Sequence, residues 1–205
     1  MTSTHSIPPQ FAVILNTIRE LTPKIAAIQQ NATTPGSALN NYVDYHTCYN
    51  VFMDLVRRVR NAACDAQNTG DFILHNIFRQ MQDQSISSNT KRSKLAQVRD
   101  AIGTKRQNFL EPRARLQSFQ RLFTSAQSSA ILVAFNPVSI SQQIITVDAA
   151  FASIDGMYMK IGEFLSRIEQ RLGQGEITAT HFEVDLTWLA AISADLKRFQ
   201  QQVNI

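Results

Sequence analysis

The stretch from residue 91 to residue 127 constrains the fold most, because two seven-residue repeats run through it side by side. Its apolar residues keep a 3-4 spacing that only Lys105 and Pro112 interrupt: Leu95, Val98, Ile102, Phe109, Leu116, Phe119, Phe123 and Ala126. Beside them four arginines recur every seven residues, at Arg92, Arg99, Arg106 and Arg113. Both spacings suit an α-helix with one packed face, on which seven residues span about 10.5 Å. The stretch therefore predicts a long helix with an apolar face and a basic flank.

The same apolar spacing predicts further helices over residues 11–28, 38–67, 71–84, 144–172 and 178–203. Proline and glycine indicate where these helices should break or end. Pro23 predicts a kink or a short break, with Thr22 as the N-cap of the restarted segment. Gly70 should end the second helix, and Pro112 should divide the long basic stretch after Glu111.

These helices predict an all-α fold in one domain over residues 1–205, built as a bundle of five or six mostly long antiparallel helices. Residues 1–6 are predicted to form a polar tail. Residues 128–141 break the helical pattern, because an apolar run is followed there by Asn136-Pro137. We expect this segment to be a structured apolar turn. It would fold the basic stretch back against residues 144–172 as a central antiparallel hairpin.

An acidic repeat in residues 144–172 matches the arginine repeat. Asp148, Asp155, Gly162 and Glu169 share one heptad position, and antiparallel helices bring such positions face to face. The arrangement pairs three arginines with three carboxylates: Arg113 with Asp148, Arg106 with Asp155 and Arg92 with Glu169. Arg99 then faces Gly162 and is left over. We interpret the repeat as a structural charge zipper that selects the helix register, since an exposed ion pair contributes less than about 1 kcal/mol.

A second interpretation gives the basic stretch a polyanionic partner such as nucleic acid. Residues 91–121 hold nine basic side chains and two acidic ones, in a chain with a net charge of +4. Clusters of this kind bind phosphate backbones through charge neutralisation and counterion release. The cations that the zipper leaves free for such a partner are Lys91, Lys94, Arg99, Lys105, Arg115 and Arg121.

The polar surface of this chain is predicted to consist mainly of amides and hydroxyls. Gln, Asn, Ser and Thr together outnumber the 20 basic and 16 acidic residues. Such a surface gains little solubility from charge repulsion, so it is compatible with self-association. The leading hypothesis is a non-enzymatic helical-bundle protein that works by association with copies of itself or with another protein through its helix faces.

The alternative hypothesis is a membrane-active bundle, either pore-forming or lipid-binding. Residues 130–151 would act as an apolar hairpin, and the basic stretch would be drawn to anionic lipid. Gln142, Gln143 and Asp148 interrupt that hairpin. No apolar run is long enough to span a membrane, and no basic region precedes the first apolar run to suggest a signal peptide. These features favour a cytoplasmic location.

No motif in the sequence indicates catalysis or metal binding. His181, Glu183 and Asp185 alternate along a predicted helix, so successive side chains point about 200° apart and do not converge on a metal. Cys48 and Cys64 lie sixteen residues apart on one predicted helix, about 24 Å along its axis, beyond the reach of a disulfide. We therefore expect no enzymatic activity, no metal or other cofactor, and no small-molecule substrate.

Overall fold

The computed structural model describes residues 9–33, 48–108, 110–125, 136–175 and 177–203. About 92% of these residues are helical and none of them forms a strand, so the all-α prediction is confirmed. The helices of this part of the chain are α1 (Pro9–Thr33), α2 (Cys48–Phe72), α3 (Phe78–Gln82), α4 (Ser88–Gln107), α5 (Leu110–Ser125), α6 (Pro137–Leu172) and α7 (Glu183–Gln202). A π-helical turn, Ile73–Ile77, joins α2 to α3, and a 3-10 turn, Ala179–Phe182, leads into α7.

Helix α6 is the centre of the fold. It has 36 residues, which makes it about 54 Å long, and it packs against α1, α2, α4 and α5. One face of α6 is buried along its whole length, through Ile140, Ile144, Val147, Phe151, Ile154, Tyr158, Ile161, Leu165 and Ile168. The predicted contact between the basic stretch and this helix is therefore present. The other wall of the core is the close packing of α2 against α7.

The N-terminus of α6 lies seven residues before the predicted one at residue 144. Asn136 caps the helix, because its side chain accepts a hydrogen bond from the backbone N–H of Ser139 at 3.2 Å. Pro137 then occupies the first turn, where a backbone N–H would have no partner within the helix, so proline loses no hydrogen bond there. Residues 128–135 of the predicted apolar turn lie outside the described residues, as do Tyr42 and Tyr45 of the predicted second helix. The end of that turn, residues 137–141, was predicted wrongly, because it belongs to α6.

Two of the predicted helix breaks are displaced or absent. Helix α1 runs through Pro23 without interruption, and Thr22 caps no new segment, because its hydroxyl donates to the carbonyl of Ile18 at 2.8 Å. The division of the basic stretch falls between Gln107 and Leu110, before Glu111 rather than after it. Pro112 accordingly sits in the first turn of α5, a position that tolerates proline.

The expectation that Gly70 ends a helix is wrong. Helix α2 passes through Gly70, which is buried where α2 crosses α7. An added Cβ would collide with Ser193 Oγ and would lie 3.3 Å from the side chains of Leu189 and Met157. Gly70 is therefore a close-packing residue, and its lack of a side chain lets α7 approach.

Candidate interaction surface

The four arginines of the heptad repeat, here called the arginine ladder (Arg92, Arg99, Arg106 and Arg113), lie along the contact of α4 and α5 with α6. Arg113 donates from Nε and Nη2 to the two carboxylate oxygens of Asp148, both at 2.9 Å. Arg106 makes the same bidentate contact with Asp155, at 2.6 and 3.2 Å. Both predicted contacts are present. These hydrogen bonds raise the pKa of each guanidinium, with partial burial opposing the rise.

The N-terminal half of the ladder differs from the prediction. Arg99 Nη2 donates to Glu169 Oε2 at 2.6 Å, so the predicted pairing of Arg92 with Glu169 and the expectation of an unpaired Arg99 are both wrong. Gly162 offers Arg99 no partner, and the long arginine side chain extends along α6 to the next carboxylate. The Arg92 guanidinium is shifted the same way, to within 3.6 Å of where a Gly173 Cβ would lie. The C-terminal end of a helix favours a cation there.

Three of the six proposed polyanion-binding residues form ion pairs within the protein. Lys105 Nζ lies 2.8 Å from Asp65 on α2, Arg115 Nη2 lies 2.5 Å from Glu111, and Arg99 holds Glu169. Lys91 is buried, Lys94 is half-buried and Arg121 is exposed. The structure brings Lys94 and Lys105 together at one groove, but it gives both Arg99 and Lys105 a carboxylate that neutralises the charge.

That groove lies between α2 and α4 and has a volume of about 320 Å³. Its lining includes Phe72, Val98 and Ile102, and Phe72 keeps 43% of its surface exposed. The sequence pattern does not indicate this groove, because it places Phe72 in a separate helix over residues 71–84. Its two lysines are the only charged residues among the described groove-lining residues.

A second apolar face of α6 was also missed from the sequence. Eight residues on its outward side keep a 4-3 spacing, and we call them the outer stripe: Val138, Gln142, Ile145, Ala149, Ala152, Gly156, Met159 and Glu163. Val138, Ile145 and Met159 are each about half exposed, at 51%, 46% and 50%. The spacing can be seen in the sequence, but it lies beside the buried face of the same helix.

Residues with catalytic or metal-binding chemistry do not converge in the described part of the chain. No group of three or more His, Cys, Asp or Glu side chains that could hold a metal occurs there. Asp185 contacts Arg167, whereas the His181 ring contacts Arg171 and Thr178. Burial raises the pKa of the Tyr158 phenol, with the neighbouring Thr69 side chain opposing the shift, so this group stays protonated in the core.

The fold and these surfaces define an all-α protein with an internally ion-paired flank and a long outward apolar helix face. Within residues 9–33, 48–108, 110–125, 136–175 and 177–203, no helix is long and apolar enough to cross a membrane. Comparison with protein-family models, with curated proteins and with solved structures gave no match to this chain.

The revised pairing predicts how the ladder responds to mutation. Arg99→Gln and Arg106→Gln should each lower the free energy of unfolding by a few tenths of a kcal/mol to about 1 kcal/mol, because each breaks a half-exposed ion pair. Arg92→Gln should cost less, since Arg92 faces no carboxylate partner among the described ion pairs. Urea unfolding at about 50 and 500 mM salt measures the effect, which should fade with salt.

A double-mutant cycle on Arg106 and Asp155 isolates the contact itself, because it subtracts what each single change does elsewhere. A coupling of zero at low salt would show that this pair has no part in selecting the register.

Proposed function

We propose that this chain is a non-enzymatic helical protein that works by association, with copies of itself or with another protein. One observation carries the proposal. The outer stripe extends for 26 residues along the central helix, and its only charged residue is the terminal Glu163. Isolated exposed apolar residues are ordinary, but a periodic apolar face on one helix is typical of an interface.

The distribution of charge supports the same proposal. Three of the four ladder arginines are engaged by Asp148, Asp155 and Glu169, so their charges serve contacts within the chain. A polyanion would have to compete with these carboxylates, and with Asp65 for Lys105. The geometry therefore lends less support to nucleic-acid binding through residues 91–121 than to protein association.

The membrane-active alternative also has less support. Its hairpin was to use residues 130–151, and residues 130–135 lie outside the described part. Of the remainder, Ile140, Ile144, Val147 and Phe151 are buried against the other helices. Inserting these residues into lipid would pull them out of the core and expose its apolar surface to water, which is unfavourable in free energy. A membrane-surface helix avoids this loss, because its apolar face is free before it binds.

The mass of the purified protein in solution tests the proposal. We expect the mass to rise above the 23.0 kDa of one chain as concentration increases, without RNA or lipid present. Because the stripe is almost uncharged, the rise should persist between about 50 and 500 mM salt.

Two parallel samples test the other functions. One contains RNA and the other contains anionic liposomes, both at low salt. A protein that stays monomeric alone but binds RNA or liposomes would contradict self-association and favour the corresponding alternative.

A further inference from the structure

We propose that the outer stripe of α6 binds the same stripe of a second copy in an antiparallel arrangement, about a two-fold axis between Ala149 and Ala152. This inference rests on the proposed function, since it names the surface and the partner for association. It commits to one occupant of the face, another copy of this chain.

The order of side chains in the stripe is self-complementary. An axis midway between Ala149 and Ala152 places these two residues opposite each other in the two copies. It also sets Ile145 opposite Gly156 of the partner copy, and Met159 opposite Gln142 of the partner copy. Such layers are those of an antiparallel helix pair with a 4-3 repeat. The match of a large with a small residue is made by Ile145 over Gly156, whereas Met159 meets a residue of similar length and the end layer sets Val138 opposite Glu163 of the partner copy.

The surroundings of Gly156 provide the space that this match needs. A Cβ built at Gly156 would have no described atom within 4 Å, so the described part of the chain leaves room at this half-buried position. Ala149 and Ala152 are exposed. Two helices that meet through alanine and glycine approach to about 8 Å, near the lower limit for packed helices. Ile145 of the second copy then fits over Gly156.

The charges beside the stripe allow two copies to meet. Asp148 and Asp155 border the stripe, and a two-fold axis brings each near the matching flank of the other copy. Arg113 and Arg106 hold both carboxylates in bidentate contacts. The acidic flank therefore does not repel its own copy, as unpaired carboxylates would. Arg106 and Arg113 thus neutralise the carboxylates that would otherwise oppose the pairing of two copies.

The length of the stripe sets the expected strength. Twenty-six residues span about 39 Å, and a helix face about 10 Å wide gives roughly 400 Å² per copy. A stable interface covers about 800 Å² per partner, so α6 supplies around half and the flanking helices must supply the rest. We expect a reversible dimer that dissociates at about micromolar concentration.

A charge placed at the centre of the stripe tests the proposal. Ala152→Glu should convert the dimer, at twice 23.0 kDa, into a monomer when measured by sedimentation over a range of concentrations. Ala149→Glu is the second variant, because the dimer would then bury two carboxylates near the axis, one from each copy. Val184→Glu is the matched control: Val184 is 83% exposed on α7 and lies outside the stripe, so this variant should remain dimeric. Circular dichroism checks that all three are folded.

The outcomes separate this inference from the proposed function. If the wild type dimerises and both stripe variants still dimerise, the stripe is not the interface, although association stands. If the wild type remains a monomer at concentrations of several hundred micromolar, the self-pairing proposal fails. The proposed function would then stand only as association with a different protein.

Cross-linking tests the antiparallel orientation, in a background with Cys48→Ser and Cys64→Ser. A mixture of Ile145→Cys and Gly156→Cys chains should form a disulfide-linked dimer, because the axis sets these positions opposite each other. Ile145→Cys alone should cross-link only weakly. Efficient linkage of Ile145→Cys to itself would indicate a parallel pair and would overturn the arrangement.

Discussion

Replacing Phe182 with alanine should lower the free energy of unfolding by about 3–5 kcal/mol. The ring of Phe182 is one of three that meet in the core, with centroids 5.8 Å from that of Phe78 and 5.7 Å from that of Phe164. Phe78 and Phe164 are themselves 6.1 Å apart, and all three rings are at most 5% exposed. The cluster joins α3, α6 and the 3-10 turn before α7, so truncation would leave a cavity at a junction of three segments.

Urea-induced unfolding followed by circular dichroism measures this effect. Val184→Ala is the matched control, because Val184 is two residues away but 83% exposed, and its truncation should change the free energy of unfolding by less than about 0.5 kcal/mol. Equal effects of the two substitutions would contradict the idea that this cluster anchors the start of α7.

The second large effect is expected at Gly70. Gly70→Ala should destabilise the protein by about 2 kcal/mol, even though alanine is the better helix former by about 1 kcal/mol. The new Cβ would collide with Ser193 Oγ and press on Leu189 and Met157, and overpacking of this kind costs about 1–3 kcal/mol or more. The collision should therefore outweigh the gain in helix propensity.

Two further variants isolate that collision. Gly103→Ala places the same methyl group on α4, where a Cβ would meet no atom within 4 Å, so it should stabilise by up to about 1 kcal/mol. Ser193→Ala removes a buried hydroxyl with no hydrogen-bond partner in the described residues, so by itself it should be neutral or mildly stabilising. Combined with Gly70→Ala it should recover most of the loss, and strict additivity of the two changes would rule out a direct clash.

The sequence by itself determined the helices and part of their register. Apolar residues spaced by three and four predicted an all-α fold, because that spacing is a local property of the chain. The contacts of Arg106 with Asp155 and of Arg113 with Asp148 followed from the match of two heptad repeats, which an antiparallel pair of helices keeps in step.

Only the tertiary structure decided how that register ends. Glu169 pairs with Arg99 and not with Arg92. The long arginine side chain passes Gly162 and extends to the next carboxylate on α6. A heptad assignment gives the position of each residue on its helix but not how far its side chain extends. The sequence also could not show that α2 continues through Gly70. A glycine after Asn68-Thr69 is typical of a helix end. Its actual role is to let α7 pack closely, and the residues of α7 that do so lie more than a hundred positions further along the chain.

Helix α6 shows most directly what apolar periodicity leaves undecided. It carries two apolar faces of similar spacing, one through Ile144, Phe151 and Tyr158 and one through Ile145, Ala152 and Met159. Periodicity indicates both faces but cannot say which one faces the core, because burial depends on where the other helices pack. Helices α1, α2, α4 and α5 cover the first face and leave the second exposed.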